Sequence, residues 1–228
     1  MRLTMVGQST VIIELESGLV MITDPWFESF AFIRASLPAL KPEDIPVVDL
    51  MLVSHKHIDH FDRAAIKLAR ARGAVIIGSR RAVESARRDR YDDCIEVKPG
   101  DEIEHEGIRI HATTAFHPFA KDAVGFIVEA EKTLYFCGDT RAERQLIEEL
   151  KGFHLDVALV QIGCSTRLGK DDGMNLEEAA RLVREIGPTI AIPIHYQVKG
   201  KVVDPEEFLK LVPPPLGLVL PMGEPIQL

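Results

Sequence analysis

The sequence contains little cysteine and no long apolar run. Its three cysteines, Cys94, Cys137 and Cys164, are odd in number and lack paired spacing, which argues against a disulfide framework and suits a reducing compartment. No apolar run reaches the ~20 residues needed to span a bilayer, and the N-terminal segment lacks the longer apolar region of a signal peptide. We therefore expect a cytoplasmic protein that has no membrane partner.

The sequence also contains fewer basic residues than acidic ones, 27 against 35. The formal net charge is −8, so a broad electrostatic surface for nucleic acid is not expected, and an anionic substrate would need cations placed locally. The 228 residues suffice for one large domain with a sizeable core. No linker or low-complexity stretch interrupts them, and we predict a single domain over residues 1–228. Whether it forms a homo-oligomer is left open.

Short β-rich runs alternate with helical segments along the whole chain, which is typical of an α/β fold. Helices are predicted after the capping residues Asp62, Asn175 and Asp204. Thr140 and Glu143 have the spacing of a capping box, which predicts another helix that begins at Thr140.

The two halves of the sequence resemble each other faintly. A strand pattern that ends at Asp24 is followed by the apolar run 49–53, and a strand pattern that ends at Asp139 is followed by the apolar run 156–160. The similarity raises the hypothesis of a structural duplication in which Asp24 corresponds to Asp139. Chance similarity between apolar strands is the alternative.

Three histidines and an aspartate follow the apolar run 47–53 within six residues, as His55, His57, Asp59 and His60. The two-residue period of an extended chain places His55 and His57 on one side, where they can share a metal ion. Asp59 and His60 come after the chain begins to turn and can face a second position. Imidazole with carboxylate suits zinc, iron or manganese. A solvated histidine-rich loop is the alternative interpretation.

Three further candidate ligands, His117, Asp139 and His195, also stand at predicted strand ends. Strands that deliver polar residues to one edge are a common way for α/β proteins to build a site, so this arrangement favours the metal hypothesis. The remaining histidines, His111 among them, lack such a setting, and we assign them to the surface or to ordinary packing.

Taken in order, these motifs resemble those of the metallo-β-lactamase superfamily. The resemblance covers nearly the whole chain and is greatest to the small, single-domain metal-dependent hydrolases related to L-ascorbate-6-phosphate lactonase. It implies a four-layer αββα sandwich, with two mixed β-sheets packed face to face and helices on the outer faces. The supporting stretches are residues 5–14, 22–25, 138–140, 175–179 and 192–196.

The resemblance also implies a role for each residue of the site. The first metal would be bound by His55, His57 and His117, the second by Asp59, His60 and His195, and Asp139 would bridge the two. Asp24 would support the ligands from behind. Gln8 stands where relatives often have histidine; it cannot take a proton at neutral pH but can keep a structural role.

The implied activity is that of a metal-dependent hydrolase with two divalent ions, zinc first, and manganese or iron as alternatives. A hydroxide held by the ions would attack a small ester, lactone or phosphoester, and Asp59 would orient the nucleophile and accept its proton. An iron-dependent oxidoreductase similar to thiol dioxygenases is the alternative enzyme, and a binding protein that keeps the fold is the non-enzymatic one. A nuclease is disfavoured because Asp139 and His195 are only 56 positions apart.

Cations follow the candidate ligands at short spacing. Lys121 comes four residues after His117, Arg141 two residues after Asp139, and Lys199 four residues after His195. We predict that these cations bind an anionic small-molecule substrate, with surface lysine and arginine as the alternative interpretation.

Overall fold

The computed structural model describes residues 1–28, 35–164, 166–167, 169–198 and 202–228, with the backbone alone at residues 166, 167 and 170. The first sheet consists of β1 (Arg2–Gly7), β2 (Thr10–Glu14), β3 (Val20–Thr23), β4 (Leu50–Val53), β5 (Val75–Gly78), β6 (Cys94–Glu96) and β15 (Pro225–Gln227). These strands lie side by side in the order β15–β1–β2–β3–β4–β5–β6.

A second sheet packs against the first. It consists of β7 (Glu102–His105), β8 (Ile108–Thr114), β9 (Val124–Glu129), β10 (Thr133–Phe136), β11 (Val157–Gln161) and β14 (Ile190–Ile194). Their order is β14–β11–β10–β9–β8–β7, and β12 (Thr166–Arg167) pairs separately with β13 (Lys170–Asp171).

Five helices occur within the described residues, together with a 3₁₀ turn at Pro42–Asp44. The helices are α1 (Arg63–Arg72), α2 (Arg80–Arg88), α3 (Arg144–Leu150), α4 (Leu176–Ile186) and α5 (Pro205–Leu211). None of the helices in the described part of the chain is long and apolar enough to cross a membrane.

Side chains of β4 alternate between two apolar cores and so define the layers. Leu50 and Leu52 face the core between the two sheets, whereas Met51 and Val53 face the core formed with α1 and α2. Helices α3, α4 and α5 pack against strands of the second sheet. The predicted four-layer αββα sandwich, with two mixed sheets, is confirmed.

Three helices begin directly after the capping residues that the sequence predicts. The Asp62 carboxylate accepts a hydrogen bond from the Ala65 N–H at the start of α1, and Gly73 ends that helix in the left-handed conformation. Asn175 and Glu178 form the capping box of α4. The helix α5 likewise begins after its predicted capping residue.

The predicted start of α3 is wrong. This helix begins at Arg144, with Glu143 as its N-cap residue, and does not begin at Thr140. The Thr140 hydroxyl accepts a hydrogen bond from the Phe116 N–H at 2.8 Å, and the Thr140 N–H donates to Gln161 Oε1 at 3.1 Å. Because Thr140 connects neighbouring loops in this way, it is not free to cap a helix.

The two halves of the chain share a topology. In the first, the antiparallel hairpin β2–β3 is followed by the parallel strands β4 and β5. In the second, the hairpin β9–β10 is followed by the parallel strands β11 and β14. The similarity in sequence therefore reflects a repeated arrangement of strands.

Backbone hydrogen bonds align the halves differently from the sequence pattern. Asp24 donates its backbone N–H to Leu52 O at 2.9 Å, and Cys137 donates its N–H to Leu159 O at 3.2 Å. The structural counterpart of Asp24 is therefore Cys137, and Asp139 lies two residues further along.

Candidate metal centre

The histidine motif lies in the loop between β4 and α1. His55 stands two residues after the end of β4 and is fully buried. The chain turns after His57, because the N–H groups of His60 and Phe61 both donate to His57 O, at 3.1 and 3.0 Å. His55 and His57 therefore precede the turn, while Asp59 and His60 lie within it, as the spacing predicts.

Three imidazoles form a first cluster, His55, His57 and His117. His55 Nε2 lies 3.0 Å from His57 Nδ1, and His117 Nε2 lies 3.1 Å from the same atom. His117 comes from the loop after β8, so this cluster joins the two sheets.

A second cluster combines two imidazoles with two carboxylates. His60 Nε2 lies 3.3 Å from an Asp139 oxygen and 3.8 Å from an Asp59 oxygen. His195 Nε2 lies 3.4 Å from the other Asp139 oxygen and 3.5 Å from Asp59. The rings of His55 and His60 are 4.1 Å apart between centroids, so the two clusters adjoin. All seven predicted ligands are brought together.

The donor atoms of the second cluster fit a metal ion. His60 Nε2, His195 Nε2 and Asp139 Oδ1 are buried and have no hydrogen-bond partner among the described residues, an arrangement that costs about 1–3 kcal/mol for each atom when nothing binds there. Two ligands of a tetrahedral zinc ion, each about 2.0–2.1 Å from it, lie roughly 3.3 Å apart. The separations of 3.3 and 3.4 Å from the two imidazoles to Asp139 and of 3.5 Å from His195 to Asp59 match that spacing, whereas His60 lies further from Asp59, at 3.8 Å.

The two clusters differ in their electrostatics. Burial lowers the pKa of His55 well below its ordinary value and that of His117 to about 4, so both are neutral, the form that binds metal. Burial has the same tendency at His60 and His195, but nearby carboxylates, above all Asp139, outweigh it and raise the pKa of both. Without metal, protons on the second cluster therefore offset its carboxylate charge.

Asp24 lies behind both clusters and is fully buried. Its carboxylate accepts hydrogen bonds from Ser54 N at 2.7 Å, Ser54 Oγ at 2.5 Å and His60 Nδ1 at 2.6 Å. Ser54 Oγ also lies 2.9 Å from His55 Nδ1. With the Nδ1 protons directed to this network, Nε2 of both His55 and His60 faces the site, as a metal ligand requires.

Gln8 and Gln197 connect the backbone of His195 to the turn after β1. The Gln8 N–H donates to Gln197 Oε1 at 2.8 Å, and the Gln197 N–H donates to Gln8 Oε1 at 2.9 Å. The His195 N–H donates to Gln8 O at 2.8 Å. Gln8 and His195 have φ angles of 57° and 59°, in the left-handed region. The reciprocal amide contacts thus give Gln8 a structural role beside the candidate ligand His195.

The predicted cations have different surroundings. Lys121 is exposed and forms no ion pair with any described residue, whereas the guanidinium of Arg141 lies 3.3 Å from the Glu143 carboxylate. Lys199 lies outside the described residues. Lys56, inside the histidine motif, donates to Phe61 O at 2.7 Å and so stabilises the loop.

Sequence reasoning missed several residues around the clusters. Ser54 directly precedes the motif and could have been found from that position. Gln197 pairs with a residue 189 positions away, and no local pattern indicates such a contact. Asp172 lies near the first cluster, where its charge opposes the burial that lowers the pKa of His57.

Comparisons with known proteins agree with this arrangement. A family model described as the β-lactamase superfamily domain matches residues 20–196. A UPF0173 protein of Pyrococcus furiosus is 31% identical over 92% of this chain and 90% of its own length. A UPF0173 metal-dependent hydrolase of Methanopyrus kandleri is 31% identical over 93% of this chain and 91% of its own.

The solved structure of Igni18, a metallo hydrolase from Ignicoccus hospitalis, has the same fold. Its TM-score is 0.81 at 24% identity, and the match covers 99% of this chain and 97% of that one. Fold and clustered ligands together define a metallo-β-lactamase type of protein. The chain belongs to the β-lactamase superfamily domain family, and it is similar to the UPF0173 proteins over nearly its whole length. The superfamily resemblance inferred from the ordered motifs is confirmed.

Proposed function

We propose that the chain is a metal-dependent hydrolase whose two clusters hold two divalent ions. The observation that carries the proposal is the meeting of unpaired nitrogen and oxygen atoms from both sheets at separations suited to a shared ion. Zinc suits a mixed set of imidazoles and carboxylates, and manganese or iron are alternatives. The names of relatives as metal-dependent hydrolases support the same class.

His55, His57 and His117 would hold one ion, Asp59, His60 and His195 the other, and Asp139 would lie between them. When bound, such ions make water acidic enough to attack near neutral pH and polarise the oxygen of the group attacked.

Asp59 is the proposed catalytic residue. Burial alone would raise the pKa of its carboxyl, but His60 and His195 lower it far below the ordinary value. The group therefore stays ionised and can accept a hydrogen bond from an attacking water. In that position it can orient the water toward a carbonyl or phosphorus centre through that hydrogen bond.

The proposed substrate is a small anionic ester, lactone or phosphoester. Lys121 is the best placed of the candidate cations, because it is exposed and Arg141 is already paired with Glu143. In a chain of net charge −8, an anion is repelled at long range unless cations lie near the mouth of the site.

His60→Ala tests the two-ion assignment. Wild-type protein should contain two ions per chain by metal analysis, and the variant should approach one and lose most of its hydrolysis of a panel of lactones, phosphodiesters and thioesters. His111→Ala is the matched control, since His111 pairs with Glu129 outside both clusters.

Two tightly held ions and normal turnover in His60→Ala would contradict the assignment. Iron in the native protein, with oxygen consumption and no hydrolysis, would favour the oxidoreductase alternative instead.

A further inference from the structure

The side chain of Gln161 is a fully buried amide at the end of β11. Neither the candidate ligands nor the proposed chemistry include it. In the sheet, β11 lies between β10, which leads to Asp139, and β14, which leads to His195. Gln161 therefore occupies the gap between the two strand ends that deliver the ligands of the second half.

Both ends of the amide are used. Its Oε1 accepts hydrogen bonds from the backbone N–H of Thr140 at 3.1 Å and of Met174 at 3.4 Å. Its Nε2 donates to Gly163 O at 3.0 Å. Donors at one end and an acceptor at the other fix which way the amide points. Thr140 directly follows Asp139, so the first of these contacts holds the loop of a ligand.

The contact between Gln161 Nε2 and Gly163 O also involves His195. His195 Nδ1 lies 2.9 Å from the same carbonyl oxygen, Gly163 O, and 3.5 Å from Gln161 Nε2. A carbonyl can only accept, so His195 carries its proton on Nδ1 and presents Nε2 to the carboxylates of the second cluster. Gln161 shares and orients the acceptor that sets this tautomer.

Two glycines leave room for the arrangement. A Cβ on Gly173 would lie 2.1 Å from Gln161 Oε1, and a Cβ on Gly163 would lie 2.3 Å from His195 O. Any side chain at either position would push the amide or the ligand out of place. The close fit indicates that this amide is part of the site and does not only fill space in the core.

The internal repeat gives an independent argument. Ser54 donates its N–H to the Asp24 side chain at 2.7 Å, and Gln161 donates its N–H to Cys137 Sγ at 3.1 Å. Since Cys137 is the counterpart of Asp24, Gln161 is the counterpart of Ser54. Ser54 Oγ lies against Nδ1 of the ligand His55, and Gln161 has the corresponding place behind His195.

We propose that Gln161 is the positioning residue for the ligands of the second half, and that it orients the imidazole of His195 and the loop of Asp139 toward one metal ion. The inference rests on the proposed function, because it presumes that these residues bind an ion. Its consequence is selective: loss of the amide should weaken the ion held by His195 and Asp139 and leave the ion of the first cluster unchanged.

Gln161→Met tests this, because methionine has similar length and removes both hydrogen-bonding groups. Metal-free full-length protein is titrated with Zn²⁺ against a competing chelator, and the binding step that His60→Ala abolishes is taken as the second ion. The affinity for the second ion should fall by about 10- to 100-fold in Gln161→Met, the usual effect of losing a group that orients a ligand. The first step should not change.

Val160→Ala is the control for general destabilisation, since Val160 is the preceding buried residue of β11. It should lower the thermal midpoint without altering the ratio of the two affinities. If Gln161→Met leaves both steps as in wild type, or weakens both equally as a packing defect would, the inference is wrong. Wild-type protein that binds fewer than two ions would instead overturn the proposed function, whatever the variant shows.

Discussion

Asp49 in the first half of the chain and Asp156 in the second make the same contacts at the start of β4 and β11. Asp49 accepts a hydrogen bond from Val20 N through its side chain at 2.7 Å, and Asp156 does the same for Thr133 N at 2.8 Å. Each aspartate also donates its own N–H to the carbonyl of that partner. The halves therefore share a backbone frame, and their differences lie in the side chains at the far ends of the strands.

At those ends, a charged side chain supports the candidate ligands of the first half, whereas an uncharged side chain stands at the same position in the second half. Asp24 accepts from Ser54 and His60, whereas its counterpart Cys137 is a thiol whose pKa is raised by burial and which donates to Gly138 O at 2.9 Å. One buried carboxylate supports the dense motif of the first half, while neutral groups suffice for single ligands in the second. A repeated frame can thus hold ligands by two kinds of support.

Asp24→Asn and Cys137→Ala should separate the two kinds of support, and this is the largest effect we expect. Asparagine tolerates the φ of 32° at position 24, but it cannot accept hydrogen bonds at both ends. The free energy of unfolding of the metal-free protein, measured with urea, should fall by about 3 kcal/mol for Asp24→Asn and by about 1 kcal/mol for Cys137→Ala. Equal losses would show that the charge of Asp24 is not what distinguishes the halves.

Metal removal should weaken the contact between the halves, because each cluster takes ligands from both sheets. Ions bind the folded chain alone, and each ion at about 100 times its Kd adds roughly 2.7 kcal/mol, or about 5 kcal/mol for two ions. A strong chelator should therefore lower the thermal midpoint by roughly 10–20 °C. The shift should be smaller in His60→Ala. Identical midpoints after confirmed metal removal would contradict the proposed ligand set.

The pH dependence of metal binding should differ between the clusters. The pKa of His60 is raised in the metal-free protein, so its proton stabilises the folded state at low pH and this contribution is lost as pH rises through the raised pKa. An ion must displace that proton and the one on His195, whose pKa is raised as well, so below both raised pKa values its affinity should increase by up to roughly a hundredfold per pH unit.

The first cluster provides the contrast. Burial lowers the pKa of His55 and His117, so the first ion should bind with nearly constant affinity around neutral pH. Zn²⁺ titrations at several pH values check both expectations. Parallel pH profiles for the two ions would show that the carboxylates do not set this difference.

Substrate recognition should depend on the second half, and this is the smallest effect we expect. Lys121 and Arg141 both follow ligands from the second half, whereas Lys56 in the first is used within its own loop. Lys121→Ala should raise KM for an anionic substrate roughly two- to fivefold, with a smaller change in kcat. Arg141→Ala should do less because of its pairing with Glu143. Equal turnover of a neutral ester and its anionic analogue would refute the idea.

The sequence indicated that the candidate ligands would lie close together, because strand ends are local features. His55 to His60 form one short motif. Each of the other three candidates lies shortly after the end of a strand: His117 after β8, Asp139 after β10 and His195 after β14. The parallel strands then bring those ends to one edge, so position along the chain predicts proximity in space.

Apart from Ser54, the residues that sequence reasoning missed contact residues far away along the chain. Gln161 and Gln197 contact several loops through amides, and no spacing in the chain marks such contacts. The predicted start of α3 was wrong for a related reason, since Thr140 bonds to the loop after β8 and to the end of β11. The sequence also aligned Asp24 with Asp139 because it matched like residues, whereas backbone hydrogen bonds pair Asp24 with Cys137.

The burial of Cys137 has a consequence for measuring the motions of the protein. Its thiol is fully enclosed and its pKa is raised by that enclosure, so a thiol-reactive dye can form a bond with it only while the second sheet is transiently open. Cys94 and Cys164 are partly exposed and do not share this requirement. The labelling rate of Cys137 therefore reports how often this sheet opens, without an engineered labelling site.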